Sequence, residues 1–153
     1  MGDLEVYTVS KEVEFDAGHR VPNHKSKCRN PHGHRYRLRV TITGQIVQTP
    51  GASDEGMLAD FGDLKTLMTE HVHDVLDHGF IAYEDDELIM SMFAGEYVED
   101  FKLIVVPFIP TAENLAKWCW DQLEVHILNM GFIPTVVELW ETPTSKATYA
   151  VYR

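Results

Sequence analysis

The run His32-Gly-His34-Arg-Tyr36-Arg-Leu38-Arg-Val40 alternates without a break. Successive side chains of a strand point to opposite faces. His32, His34, Tyr36, Leu38 and Val40 therefore share one face, and Arg35, Arg37 and Arg39 share the other. Upstream, residues 4–17 alternate too and are rich in Val, Tyr, Thr and Phe, a strand pattern. Val9, Val13, Phe15, Ala17 and His19 have one parity, and Glu12, Glu14 and Asp16 the other. The second strand runs over 32–47, with Gly44 a candidate bulge. Residues 20–31, with Pro22, Asn23, Asn30 and Pro31, read as the connecting loop. Paired as a hairpin, the two strands set acids against arginines on one face, each pair worth roughly 0.2–1 kcal/mol. The other face then collects His19, His32 and His34. A bulge between the strands would break this parity.

Further along, Thr49 to Gly56 is a turn. Leu64, Leu67, Met68, Val72, Val75 and Leu76 recur at helical spacing after a start at Asp60 or Asp63. Glu84 to Glu87 is an acidic run, read as a solvated loop or helix start. Residues 102–108 suit a short strand ended by Pro107. Thr111 is a cap for a helix to about Met130, whose stripe is Leu115, Trp118, Cys119, Leu123 and Ile127. Residues 134–142 and 146–152 read as a closing hairpin. This order predicts an α+β layer fold with an antiparallel sheet and helices on one face. The 153 residues fit a single domain, 1–153, large enough to build its own core.

The formal net charge is −11, from 24 acids against 13 bases, which argues against nucleic acid and anionic membranes as partners. The charge is segregated, however. No acid lies between Asp16 and Asp54, and that window holds seven of the 13 bases, four of the eight histidines and one of the two cysteines. An anion could sit there. Two cysteines are too few for a disulfide framework. With no signal peptide and no run near the ~18 apolar residues of a membrane span, the expectation is a soluble cytoplasmic protein.

His32-Gly-His34 is the sharpest chemical feature, because both imidazoles can reach one ion. His19, on the same face at the end of the neighbouring strand, is a third ligand. Three histidines with an open position suit a catalytic zinc, although ligand type alone leaves copper, nickel and iron open. The bland reading is a pair of packed or surface histidines. Cys28 lies between Lys27 and Arg29, and flanking cations favour the reactive thiolate. Cys119, between Trp118 and Trp120, reads as core. Asp77-His78 ends the first helix and could pair for proton transfer, but adjacent residues on a helix do not face each other. His71 and His73 are assigned to a solvated face, and His24 and His126 to no partner. Glu138 and Glu141, near a strand end, could accept two hydrogen bonds from a guanine-like or pterin ring. The spacing by itself favours exposed edge glutamates.

Together these residues resemble one family, the 6-pyruvoyl- and 6-carboxy-tetrahydropterin synthases. The resemblance runs through Phe15-Asp-Ala-Gly-His19-Arg, Lys27-Cys28-Arg-Asn-Pro-His32-Gly-His34-Arg-Tyr36 and Asp60-Phe-Gly-Asp-Leu-Lys65. It continues through Leu76-Asp77-His78, Pro110-Thr111-Ala-Glu113-Asn114 and Glu141-Thr142. It implies a tunnelling fold (T-fold), in which strands from several subunits close a barrel, and a hexamer of two trimers with active sites between subunits. It also implies zinc (Zn2+) on His19, His32 and His34, with Cys28 as proton acceptor and Asp77 and His78 as a proton relay. Glu141 would anchor the pterin and join the relay, and Thr111 and Glu113 match the pterin-pocket motif. The implied substrate is 7,8-dihydroneopterin triphosphate.

Arg29-Asn-Pro31 joins Cys28 to the histidine pair tightly, as in carboxy-forming members. The first expectation is thus 6-carboxytetrahydropterin synthase of 7-deazaguanine (queuosine-type) biosynthesis, releasing acetaldehyde and triphosphate. The second is 6-pyruvoyltetrahydropterin synthase. A third, of another class, is a non-catalytic zinc- or pterin-binding protein on the same fold. Between His78 and Thr111 the chain is longer than compact members, a departure that leaves the pocket rim, and with it part of the substrate choice, open.

Overall fold

The computed structural model describes residues 2–95 and 98–152, so Glu96 and Tyr97 of the longer 82–109 segment lie outside the described residues. Strands β1 (Tyr7–His19) and β2 (His32–Gly44) form an antiparallel hairpin with no slip in register. His19 pairs with His32, Ala17 with His34 and Phe15 with Tyr36, while Asp16, Glu14 and Glu12 face Arg35, Arg37 and Arg39. The expected parity therefore holds. Gly44 is no bulge, since it pairs with Tyr7. The irregularity lies where β2 meets the later strand β5 (Ile133–Thr142), between Thr41 and Ile42 and opposite Pro134. Proline has no N–H to give a ladder, which is why pairing breaks there.

β5 returns as β6 (Ser145–Ala150), the expected closing hairpin. On the opposite edge two parallel strands extend the antiparallel core: β3 (Gly79–Tyr83) beside β1, and β4 (Leu103–Val106) beside β3. The sheet is thus mixed, in the order β4-β3-β1-β2-β5-β6. Sequence reading did not anticipate β3. Gly79, Ile81 and Ala82 are all buried, and a short strand covered on both sides lacks the alternation that marks a half-exposed one.

Helix α1 (Phe61–Met68) starts where Asp60 accepts a hydrogen bond from the Gly62 N–H at 2.7 Å. A π turn over Thr69–His73 carries it into α2 (Asp74–Leu76). The wider turn resets the helical phase, so Val75, expected in the apolar stripe, is exposed while Val72 and Leu76 are buried. His71, expected on a solvated face, instead stacks on His126 with ring centroids 3.8 Å apart. A short helix, α3 (Glu87–Met92), follows the acidic run. Glu84 and Asp85 are exposed, but Asp86 is buried. It accepts two hydrogen bonds from Arg20, an ion pair that the local sequence did not signal. Helix α4 (Ala112–Asn129) is capped by Thr111, whose hydroxyl accepts from the Asn114 N–H.

α1 and α4 cover the apolar sheet face. Leu115, Cys119, Trp120, Leu123 and Ile127 of α4 meet Tyr36, Leu38, Val40, Val137 and Leu139 in one core. Each fully buried aliphatic side chain there contributes roughly 1.5–3 kcal/mol. Cys119 is core, as expected, and burial pushes its thiol well up. Among the described residues no helix is long and apolar enough to cross a membrane.

Candidate active site

The register that pairs His19 with His32 and Ala17 with His34 brings three imidazoles to one end of the apolar face. Their ring centroids lie 4.6, 5.1 and 4.9 Å apart. One ligand atom from each lies within 4.8 Å of the others. The His19 Nδ1 sits 2.7 Å from the Pro110 carbonyl, and the His32 Nδ1 sits 2.6 Å from that of Asn30. A carbonyl only accepts, so each Nδ1 carries a proton, and in the neutral ring each Nε2 keeps its lone pair. Such contacts hold metal-binding histidines in place.

The Nε2 atoms of His19 and His34 are buried without a hydrogen-bond partner. Burial lowers the His19 pKa to about 4, with the neighbouring imidazoles adding to the shift and the Pro110 carbonyl opposing it. His34 is lowered as well, chiefly by burial. Neutral imidazoles with orphaned lone pairs are what a metal needs, so the donor set fits an ion bound by three nitrogens.

Alternation along β5 puts Glu138 and Trp140 on the charged face and Glu141 on the other, with Val137 and Leu139. Glu138 accordingly pairs with Lys146 and with Arg39. The Glu141 Oε1 lies 3.4 Å from the His19 Nε2 and 3.7 Å from the His34 Nε2. Tyr36, the next residue of β2 on that face, is fully buried, and burial together with the Glu141 charge pushes its phenol up.

A cavity of about 260 Å³ opens beside the cluster, lined among others by His19, Cys28, Thr111, Glu113 and Glu141. Cys28 lies in a tight turn, Lys27–Arg29. The Val21 N–H donates to the Cys28 carbonyl at 2.8 Å, and the Arg20 guanidinium donates to the Arg29 carbonyl at 3.1 Å. Pro110 holds His19 and directly precedes Thr111, so one loop places both the imidazole and the start of α4.

Asp77 and His78 are set apart. The helix ends at Leu76, Asp77 is extended, and His78 has a φ of 59°. That left-handed residue brings its Nδ1 to 2.7 Å from the Asp77 Oδ2, so the pair does meet although the two are adjacent in sequence. The other Asp77 oxygen accepts from the Asp16 N–H at 2.9 Å. That bond, then His78, holds the Asp77 carboxyl below the usual carboxylate range. The His78 ring is 79% exposed and borders a different hollow, lined by Gly18, Gly33, His34 and Arg35 but not by Cys28.

The basic window is largely neutralised. Arg35 pairs with Asp16 and Glu14 at 2.9 and 3.1 Å, and Arg39 with Glu12 at 2.7 Å. Arg37 lies 3.8 Å from Glu12 and stacks over Trp140. Among the described residues of the window, Lys25, Lys27 and Arg29 have no ion pair, and Lys27 and Arg29 flank Cys28 in its turn.

The family model of 6-pyruvoyl tetrahydropterin synthase matches residues 8–151. The chain belongs to this family. It is a family of lyases, and its tunnelling fold is the one described above. A relative from Haemophilus influenzae, a 6-carboxy-5,6,7,8-tetrahydropterin synthase, is 33% identical over 144 residues, covering 94% of this chain and 99% of its own. Among solved structures, an uncharacterized protein from Wolinella succinogenes is similar at 26% identity, with a TM-score of 0.82 over 97% of this chain and all of its own. The Caenorhabditis elegans 6-pyruvoyl tetrahydropterin synthase shares the fold at 24% identity and a TM-score of 0.68, over 99% of this chain and all of its own.

Sequence reasoning missed the Pro110 and Asn30 carbonyls, the Arg20–Asp86 pair and the buried phenol of Tyr36. Carbonyls leave no mark in a sequence. The pair joins residues 66 apart. Tyr36 did have a signal, its parity with His32 and His34.

Proposed function

We propose that this protein is a zinc-dependent 6-carboxy-5,6,7,8-tetrahydropterin synthase that converts 7,8-dihydroneopterin triphosphate, releasing triphosphate and acetaldehyde, in 7-deazaguanine (queuosine-type) biosynthesis. The observation that carries this reading is the single cavity where Cys28, Thr111, Glu113 and Glu141 meet His19 of the three-imidazole cluster. The names of the relatives at about 33% identity support the carboxy-forming product.

His19, His32 and His34 would hold the zinc, which supplies Lewis acidity toward the substrate's side-chain hydroxyls. Cys28 takes a proton from the side chain. Glu141 accepts from the amino and ring N–H groups of the pterin, and Thr111 and Glu113 complete the ring's seat, so the side chain stays within reach. Lys25, Lys27 and Arg29, the cations without an ion pair among the described residues of the acid-free window, would meet the triphosphate. Asp77 accepts from the His78 Nδ1–H, so that Nε2, after taking up a proton from solvent, can pass it to the substrate.

Because His78 borders a separate hollow, it serves the cavity of a neighbouring copy in this reading. The chain acts as a hexamer of two trimers in the cytoplasm, its barrel closed by subunits meeting at the sheet edges β4 and β6. Incubation with 7,8-dihydroneopterin triphosphate and a coupled acetaldehyde assay tests the reaction. Stoichiometric acetaldehyde is expected. A pyruvoyl product without acetaldehyde would instead make it a 6-pyruvoyl tetrahydropterin synthase, and no turnover a binding protein.

A further inference from the structure

Three buried side-chain polar atoms among the described residues have no hydrogen-bond partner: Nε2 of His19, Nε2 of His34 and the phenolic oxygen of Tyr36. The imidazole cluster accounts for the first two but leaves the third unexplained. A buried hydroxyl without an acceptor destabilises a fold relative to the same ring without it. Packing here asks only for the ring. Tyr36 stacks at 5.2 Å on Phe15, its partner across the hairpin, which fills the same kind of site with no hydroxyl.

The placement of the phenol is what sets it apart. The Tyr36 ring stands edge-on to His34 at 5.5 Å and to His19 at 6.0 Å. The Glu141 carboxylate lies next to both Nε2 atoms, yet it accepts no hydrogen bond from the phenol.

We infer that Tyr36 contacts substrate: its O–H donates a hydrogen bond to a ligand oxygen seated against His19, His34 and Glu141. This rests on the reading of the three histidines as a metal centre. A donor fixed in a buried site and aimed at an oxygen that gains negative charge strengthens its bond as the reaction proceeds. The phenol acts only as a donor, so no further acceptor is required. Removing it should therefore lower kcat more than it raises KM.

Tyr36→Phe removes the hydroxyl and keeps the ring. Both proteins are loaded with cobalt(II), and acetohydroxamate, a small oxygen-donor ligand, is titrated by visible absorption. The expected result has three parts. Cobalt uptake is unchanged, and the urea midpoint of the cobalt-free variant is equal or higher. The acetohydroxamate dissociation constant rises about tenfold. An unchanged dissociation constant overturns the inference. A lower urea midpoint with unchanged ligand affinity also overturns it, in favour of a purely structural hydroxyl. Failure of the unsubstituted protein to take up cobalt overturns the metal centre and this inference together. The tenfold effect without pterin turnover in either protein supports the donor assignment and removes the enzymatic reading alone.

Discussion

Replacing Asp86 by alanine removes a carboxylate that ties three parts of the molecule together. Its two oxygens accept from the Arg20 Nε at 2.7 Å and Nη2 at 2.6 Å. One of them also accepts from the Ile89 N–H and so caps α3. Arg20 in turn donates to the Arg29 carbonyl, beside Cys28. The side chains of Asp86 and Arg20 are 3% and 14% exposed. Removing one partner of a fully buried pair costs about 3–5 kcal/mol. Arg20 keeps the Arg29 carbonyl and some contact with water, which brings the charge contribution to about 2 kcal/mol, and the lost cap adds about 1 kcal/mol. We expect Asp86→Ala to lower the urea-unfolding free energy at pH 7 by about 3 kcal/mol, and Asp86→Asn, which keeps a cap acceptor, by about 2 kcal/mol. Tryptophan fluorescence at one fixed protein concentration is the assay, since the proposed assembly would couple stability to concentration.

The pH dependence has a definite sign. Arg20 holds the Asp86 carboxyl below the usual carboxylate range. A depressed folded value contributes stability that is fully present above the unfolded value, about 4, and lost as pH falls through the folded value. The gap between the unsubstituted protein and Asp86→Asn should therefore close in acid. A cost below about 0.5 kcal/mol at pH 7, the scale of an exposed pair, or a gap that widens in acid, would refute the reasoning.

Cys28→Ala should lose at least about a hundredfold in product formation while keeping its circular dichroism and metal content. Unchanged turnover would remove Cys28 from the role of base. His32→Ala should be purified with little zinc by elemental analysis, and full zinc content would refute the ligand assignment. A Cβ on Gly79 would lie 2.1 Å from the Ile104 Cδ1 and 3.1 Å from the Leu76 carbonyl oxygen. Gly79→Ala should therefore cost about 1–3 kcal/mol and lower Tm by several degrees. An unchanged Tm would refute this, showing that the end of the Ile104 side chain turns aside without cost.

The hairpin of β1 and β2 was legible because alternation is a local property, and an unbroken run of it survives into the fold. The long helix α4 was legible for the same reason, from Thr111 as cap and the spacing of Leu115, Cys119, Leu123 and Ile127. β3 was not, since a strand buried on both sides carries no period. Val75 was misplaced because a single π turn shifts the phase of everything after it. The acidic run was legible as a helix start, with Glu87 opening α3, but the burial of Asp86 was not, since its partner Arg20 lies 66 residues upstream.

Parity by itself determined that His19, His32 and His34 share one face and that the arginines answer Glu12, Glu14 and Asp16 on the other. Two-residue periodicity leaves no other arrangement for an unslipped hairpin. Only the tertiary structure decided what surrounds those imidazoles. Cys28, Thr111, Glu113 and Glu141 come from a loop, a helix start and a distant strand, and close packing brings them to one cavity. It also placed His78, held by Asp77, on a separate hollow, because β3 runs parallel to β1 and carries their turn past the far side of that strand. The carbonyls of Pro110 and Asn30, which orient His19 and His32, belong to the backbone that every residue shares, so no residue type could have announced them.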